Sequence, residues 1–294
     1  MIGEQYRKSG KITNEVRSVV KSRVKPGMGY VEVCQLVEAE ISARGGSPAF
    51  PTGIGVNQVT AHYAPQLGDS GVIQESDLVK VDFGVHVDGY VTDTAVSITF
   101  NPAYQLMLEV AERALAVAIE TAKNEARTGE IGKVVQAEVS RLGFRPIENL
   151  TGHTVDRFTV HAGKSIPNVY MPGTQSLKKG DVFAIEPFVT LSSAAGYVVD
   201  SASQTIFSIV ARKKTGMPEL DGFAEKVWAE RKSLPFTPRW YVAEFGRNLP
   251  AMLERLVAKK AVRPYPTLVE ASGSPVAQFE HTMALDDGGL VVLT

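Results

Sequence analysis

This chain has little cysteine, little histidine and almost no net charge. A single cysteine, Cys34, among 294 residues rules out an intrachain disulfide and fits a reducing compartment. Its setting, Val33-Cys34-Gln35-Leu36, suggests a helix core position rather than a nucleophile. The formal net charge is -1, so the overall balance offers no attraction to nucleic acid or to an anionic membrane. No apolar run approaches the roughly 18 residues a membrane span requires. The opening Met-Ile-Gly-Glu-Gln-Tyr-Arg-Lys lacks the apolar stretch of a secretory signal. A soluble, cytoplasmic monomer with no membrane or specific DNA partner is expected. With 44% hydrophobic and 21% charged residues, the chain can build one big domain, or a domain with an insertion.

What is present centres on Lys80 to Ile98, where β-branched or aromatic residues alternate with polar ones around Asp88-Gly89. This reads as a hairpin closed by a two-residue turn. With Val87 opposite Tyr90, Gly84 faces Asp93 and Asp82 faces Ala95. Both aspartates then sit diagonally on one face, about 7–8 Å apart at the backbone. Gly84 leaves room between them. Two acids so placed repel each other unless a cation lies between, so Asp82 and Asp93 are read as metal bridges. The plainer alternative is a hairpin carrying two solvated carboxylates.

The spacing of Ile12, Val16, Val19 and Val20 predicts an amphipathic helix from about Gln5 to Val24, ended by Pro26-Gly27. A second helix, Tyr30 to Ala43, buries Val33, Leu36, Val37 and Ile41 and stops at Gly45-Gly46. After the hairpin the order restarts. A helix from Pro102 to about Ala126 presents Leu106, Val110, Leu115, Val117 and Ile119, and a shorter one runs from Glu130 to Leu142. Ala137-Glu-Val-Ser and Gly143 echo Ala39-Glu-Ile-Ser and Gly45, a hint of two similar halves. Short β-rich stretches follow, at Arg145–Ile147, Thr159–His161, Val182–Thr190, Val198–Val210, Val276–Leu285 and Gly289–Leu293. Between about Ala211 and Pro266 helical patterns return at Leu220–Lys232, Trp240–Arg247 and Pro250–Lys260, suggesting a helical subdomain inserted between two strands.

The five histidines can be weighed singly. His153 follows Gly152, which permits close approach of a ligand. Eight residues on, His161 would face it across a hairpin turning near Arg157. Glu186, in Val182-Phe-Ala-Ile-Glu-Pro-Phe, lies on an apolar strand where an unpaired carboxylate is costly to bury. Glu280, in Ala277-Gln-Phe-Glu-His-Thr-Met, has the same character. Each needs a proton, a basic partner or a metal. His86 reads as a rim residue near the turn, and His281 points to the face opposite Glu280. Asp82, Asp93, His153, Glu186 and Glu280 together form the donor set of a two-metal hydrolase, in which paired ions activate water and polarise a carbonyl.

With these motifs assembled, the chain resembles the type II methionine aminopeptidases, most closely their short archaeal-like members. The resemblance rests on Pro48-Ala-Phe-Pro, Ala61-His-Tyr-Ala-Pro, Val81-Asp to Asp93-Thr-Ala, Gly152-His-Thr, His161-Ala-Gly-Lys-Ser-Ile-Pro-Asn, Ala184-Ile-Glu-Pro-Phe and Ala277-Gln-Phe-Glu-His-Thr. It implies an α/β (α+β) pseudo-twofold pita-bread fold, with a catalytic domain of residues 1–194 and 273–294 and a helical insertion of 195–272. It implies removal of the N-terminal methionine from nascent proteins with a small second residue, by a hydroxide bridging two divalent metal ions. Cobalt, manganese, iron, zinc or nickel would suit the donors. By the same resemblance Asp82 is a bidentate ligand of one metal, Asp93 and Glu280 bridge both, and His153 and Glu186 hold the other. Glu186 is also the candidate general base. His62 lies near the scissile amide, His161 bonds the substrate carbonyl, and Phe50, Val160 and Phe188 wall the methionine pocket. His62 stands at the rim of that pocket and Tyr265 helps close it.

Three competing readings share part of this pattern. One is a metal-free binding protein of the same fold, and another a prolidase-like X-Pro aminopeptidase. The third gives the basic residues Arg212, Lys213, Lys214, Arg231, Lys232, Lys259 and Lys260 a nucleic-acid role, with ribosomal RNA near the peptide exit as the partner.

Overall fold

A computed structural model describes residues 2–210 and 214–294. The expected order of helix, helix and strands occurs twice. In the first pass α1 (Glu4–Arg23) and α2 (Tyr30–Ala43) precede β1 (Ser47–Pro48), β2 (Gly53–Val56), β3 (Val59–Ala61), β4 (Leu78–Val87) and β5 (Tyr90–Thr99). In the second, α3 (Gln105–Thr121) and α4 (Thr128–Arg141) precede β6 (Phe144–Pro146), β7 (Thr151–Val155), β8 (Ser165–Pro167), β9 (Val182–Ile185) and β10 (Phe188–Leu191). Next come β11 (Val198–Ile209), α5 (Pro218–Arg231), α6 (Val242–Phe245), α7 (Leu249–Ala258) and β12 (Val262–Glu270). The chain closes through β13 (Val276–Gln278), β14 (His281–Asp286) and β15 (Gly289–Val292). α2 and α4 are each 14 residues long, and each is followed by a glycine at positive φ, Gly45 at 78° and Gly143 at 84°. That left-handed turn is the cheap way to end a helix, and glycine adopts it without a Cβ clash.

The β4–β5 ribbon has the expected register, with Val87 opposite Tyr90, Gly84 opposite Asp93 and Asp82 opposite Ala95. Asp88 and Gly89 both take positive φ, 53° and 89°, as a turn matched to the strand twist requires. Ile12, Val16 and Val20 of α1 are buried in the same apolar cluster as Phe83 and Val85 of the ribbon. Burial of such side chains contributes about 1.5–3 kcal/mol each, which fixes helix to sheet. The two halves are then sewn together by hydroxyls. Thr94 Oγ1 donates to Glu280 O at 2.8 Å, Asp93 N donates to Thr282 Oγ1 at 2.7 Å, and Ser97 Oγ donates to Gln278 O at 2.8 Å.

Residues 218–258 build a second apolar cluster, in which Phe223, Val227, Leu253 and Leu256 pack with Phe207 of β11 and Phe236. The rings of Tyr241 and Phe245 meet Phe223 edge to face, at 5.6 and 5.0 Å between centroids. β11 pairs with β12 and β12 with β3, so the stretch 195–272 is helical only in its middle. Among the described residues no helix is long and apolar enough to cross a membrane.

Several elements depart from the sequence reading. α3 ends at Thr121, short of Ala126, and Leu106 is 56% exposed. The buried face is Met107, Leu108, Val110, Ala111, Ala114, Leu115 and Ala118, so Val110 and Leu115 of the expected stripe pack as read while Leu106 turns outward. Trp240–Arg247 holds one short α-helix, Val242–Phe245, flanked by 3-10 turns at Pro238–Trp240 and Gly246–Asn248. Thr159–His161 forms no strand. Asp156 and Thr159 close a narrow turn, and β7 pairs instead with Ser165–Pro167, His153 lying opposite Ser165. Val182–Thr190 and Val276–Leu285 are each interrupted, the first at Glu186-Pro187 and the second at Phe279-Glu280.

Of the basic residues considered for phosphate contact, Arg212 and Lys213 lie outside the described residues. Arg231 is buried, and Lys214 is paired with Glu225. Lys259 and Lys260 are exposed and Lys232 is half-buried.

Candidate metal centre and substrate pocket

The interruptions place the acids. Pro187 has no amide hydrogen, so the ladder of β9 cannot run on through Glu186-Pro187 into β10. Glu280 lies between β13 and β14, where its own N–H donates to Ala95 O at 3.1 Å. That bond docks it against the ribbon, and Ala95 is in turn the cross-strand partner of Asp82. Gly152 supplies the third close approach. A Cβ there would stand 2.4 Å from Ala184 O, so only glycine lets β7 lie tight on β9 with His153 beside the acids.

One cavity of about 230 Å³ is lined by Phe50, His62, Asp82, Asp93, His153, Val160, His161, Glu186, Phe188, Tyr265 and Glu280. Donor atoms of Asp93, His153 and Glu280 lie within 4.8 Å of one another. His153 Nε2 is 3.7 Å from Asp93 Oδ2 and 3.6 Å from Glu186 Oε1, too long for hydrogen bonds and short for unrelated groups. The His153 and His161 rings are 4.4 Å apart at their centroids, although the two residues are not paired across a hairpin as expected. The turn at Asp156–Thr159, with Ala162 N donating to Thr154 O, carries His161 back to an exposed place at the cavity mouth. His62 takes φ +61°, a strained conformation for a histidine, and its ring is 5.8 Å from that of Tyr265. The space above Gly84, expected to lie open between the aspartates, is filled by the Phe50 ring, which a Cβ would meet at 2.4 Å.

Burial governs the electrostatics. It pushes Asp82 up to about 7, against a single hydrogen bond from Gln278. Asp93, Glu186 and Glu280 are all driven well above the usual carboxylate range, by burial first and neighbouring carboxylates second. His153 falls to about 3 and His62 to about 4, both mainly through burial, so each imidazole is neutral near pH 7. Asp82 Oδ1, Asp93 Oδ1 and Glu280 Oε1 are buried without a hydrogen-bond partner. Buried oxygens of that kind are costly unless something compensates them. Oxygen-rich donors with one neutral imidazole suit a hard or borderline divalent cation, so the residues fit a metal.

The sequence reading passed over Asn149, Ile206, Pro235 and Gln278. The first three line the same cavity. Asn149 holds Val198 through both its amide atoms, at 2.8 Å each. Gln278 Nε2 donates to Glu186 Oε2 at 3.1 Å. Gln278 had a visible signal: two residues from Glu280, it falls on the same face of an extended segment.

Comparison with known proteins decides the family. The family described as metallopeptidase family M24 matches residues 4–232. A methionine aminopeptidase of Pyrococcus horikoshii is 39% identical over 288 residues, 97% of each chain. The chain belongs to metallopeptidase family M24, among its methionine aminopeptidases. Two solved structures share the fold. A thermophilic Arx1 superposes with a TM-score of 0.86 at 19% identity, over 98% of this chain and 89% of that one. A methionine aminopeptidase of Thermotoga maritima gives 0.71 at 24% identity, over 99% and 95%. The pita-bread architecture is therefore this chain's, and the family is one of metallopeptidases, in keeping with a buried Asp93, His153 and Glu280 group that could hold a metal ion.

Proposed function

We propose that this protein removes the N-terminal methionine from nascent polypeptides whose second residue is small, and does so in the cytoplasm. The observation that carries this reading is one small cavity with two kinds of wall. Converging carboxylates and a neutral imidazole line it together with the apolar side chains of Phe50, Val160 and Phe188. A single apolar side chain fits beside the donors. A chain terminus is the peptide position that reaches such a dead end. Asp82, Asp93 and Glu280, with His153 and Glu186, would hold two divalent ions. When bound, the ions acidify water and polarise the carbonyl to be attacked.

The chain's own residues do the rest. Glu186, whose carboxylate Gln278 orients, accepts the water proton at Oε1. His161, at the mouth, donates to the carbonyl oxygen as it gains charge. His62, neutral and fixed by its strained backbone, stands near the scissile amide. Phe50, Val160, Phe188 and Tyr265 exclude water and orient the first side chain. The division into a catalytic unit, 1–194 with 273–294, and an insertion, 195–272, is part of the same proposal, supported by the separate apolar cluster around Phe223. Contact with the ribosome, where nascent N-termini emerge, completes it.

The test is reconstitution. Chelator-stripped protein is loaded anaerobically with each candidate metal and given a Met-Ala-Ser peptide beside peptides with other first residues and an X-Pro peptide. Release of methionine in proportion to bound metal is expected. Preference for X-Pro would favour prolidase chemistry instead, and no cleavage under any metal would favour a binding protein.

A further inference from the structure

Residues 218–258 reach back to the pocket through one buried side chain. Arg231, the last residue of α5, is 8% exposed. Its Nε donates to Pro235 O at 3.0 Å, and its Nη2 donates to Pro48 O at 2.8 Å and to Ala49 O at 3.2 Å. The guanidinium carbon stands 4.6 Å from the centroid of the Trp240 ring, which covers it. Pro235 itself lines the cavity, and Ala49 directly precedes Phe50, an aromatic wall of the same cavity.

One planar fork therefore spans the backbone of two walls far apart in sequence. Charge-assisted hydrogen bonds to carbonyls are stronger than neutral ones, and a guanidinium presents its donors in a fixed geometry that a lysine ammonium does not. Phe50 is confined from the other side as well, since its ring lies against Gly84 and Ala49 N donates to Gly84 O at 2.8 Å. The backbone leading into Phe50 is thus held by the insertion, while its ring lies against the ribbon that carries the aspartates. A second buried arginine shows the contrast. Arg239 makes a two-pronged pair with Glu38 of α2, at 2.7 and 3.0 Å, and donates to Pro65 O, so it ties insertion to helix rather than wall to wall.

We infer that Arg231 is a positioning residue that fixes Phe50 and Pro235 relative to the donors and so sets how selectively the pocket accepts the first side chain. The inference rests on the aminopeptidase reading above. It makes the insertion a determinant of specificity at the site.

The experiment uses the full metal-loaded protein as wild type, R231K, R231M, F50L and R231M/F50L. Peptides X-Ala-Ser with X as methionine, norleucine, leucine or alanine give KM and kcat for each. In R231M the KM for the methionyl peptide should rise about tenfold and the preference for methionine over leucine fall by a similar factor, the scale of one misplaced methylene-sized contact. kcat should stay within about threefold and metal content should match wild type, because the donors are not touched. R231K should recover part of the preference. With F50L already present, R231M should cost little further preference, since both act on one wall. A folded R231M with wild-type KM and preference overturns the inference. So does a loss that simply adds to that of F50L, or failure of both R231M and R231K to fold, which would make the residue a structural strut. Should wild type prefer another first residue, the methionine reading fails, and the same variants scored on that residue still test Arg231.

Discussion

The two halves deliver their acids by opposite means. In the first, Asp82 and Asp93 sit inside an uninterrupted hairpin of two ten-residue strands, where alternation alone puts them on one face. In the second, Glu186 and Glu280 stand where strands break, one before Pro187 and the other after Phe279. A continuous ladder spaces its side chains regularly, so it can bring two acids near each other and no nearer. Breaks release the backbone from that spacing, and cross-half bonds such as Glu280 N to Ala95 O then set where the acid goes. The first half thus places its acids within one hairpin, while the second places Glu280 through a bond to the first.

The strongest way to break the comparison is to remove one acid from each half. Asp93→Asn and Glu280→Gln are each expected to lower kcat/KM by at least roughly 10³-fold, because groups acting as a unit fail together. Both should lose metal in elemental analysis. If the Glu280 variant kept full metal and rate, the second half would contribute no ligand there.

The glycines sharpen the contrast further. In Gly152→Ala the new methyl meets a backbone carbonyl, Ala184 O, which cannot rotate away, and about 2–4 kcal/mol of unfolding free energy should be lost in urea titration. In Gly84→Ala it meets side chains rather than a carbonyl, the Phe50 ring at 2.4 Å and Ala49 Cβ at 2.9 Å, and the ring can shift within the pocket. There the expected signature is a KM for methionyl peptide raised about tenfold, with a smaller stability loss. Equal stability losses at the two sites would contradict the assignment of rigidity.

The smallest effect is shared by both halves and concerns pH. A carboxyl raised on folding, such as Asp82 at about 7 against its ordinary 3.8, binds more protons folded than unfolded between those values. Stability of metal-free protein therefore drops as pH rises through that window, and Asp93, Glu186 and Glu280 act in the same direction. Bound cations would offset that loss. The melting-temperature gap between metal-loaded and metal-free protein should widen between about pH 5 and pH 8. Groups that hold no metal largely cancel in this difference. A gap that stayed constant would show that the carboxyls do not share one cation site.

Much of this was legible because it is local. Periodicity located α1 and α2, the hairpin register followed from Asp88-Gly89, and burial cost singled out Glu186 and Glu280 before any coordinates. The misreadings share one cause, which is that they turned on neighbours distant in the chain. Leu106 is as apolar as Met107, and only packing shows which one faces the sheet. Thr159–His161 has strand-like composition, yet β7 finds its partner in Ser165–Pro167. Arg231 is grouped by sequence with basic residues that could contact phosphate, yet it lies buried against the carbonyls of Pro48, Ala49 and Pro235.

The sequence by itself determined the donor types, the ribbon that carries two of them and the doubled order of elements, since these follow from side-chain chemistry and from periods of 2 and 3.6 residues. Tertiary structure decided where strands break, which glycine faces a carbonyl and which a ring, and which arginine grips the pocket. Those outcomes depend on contacts between segments whose mutual placement no local pattern encodes.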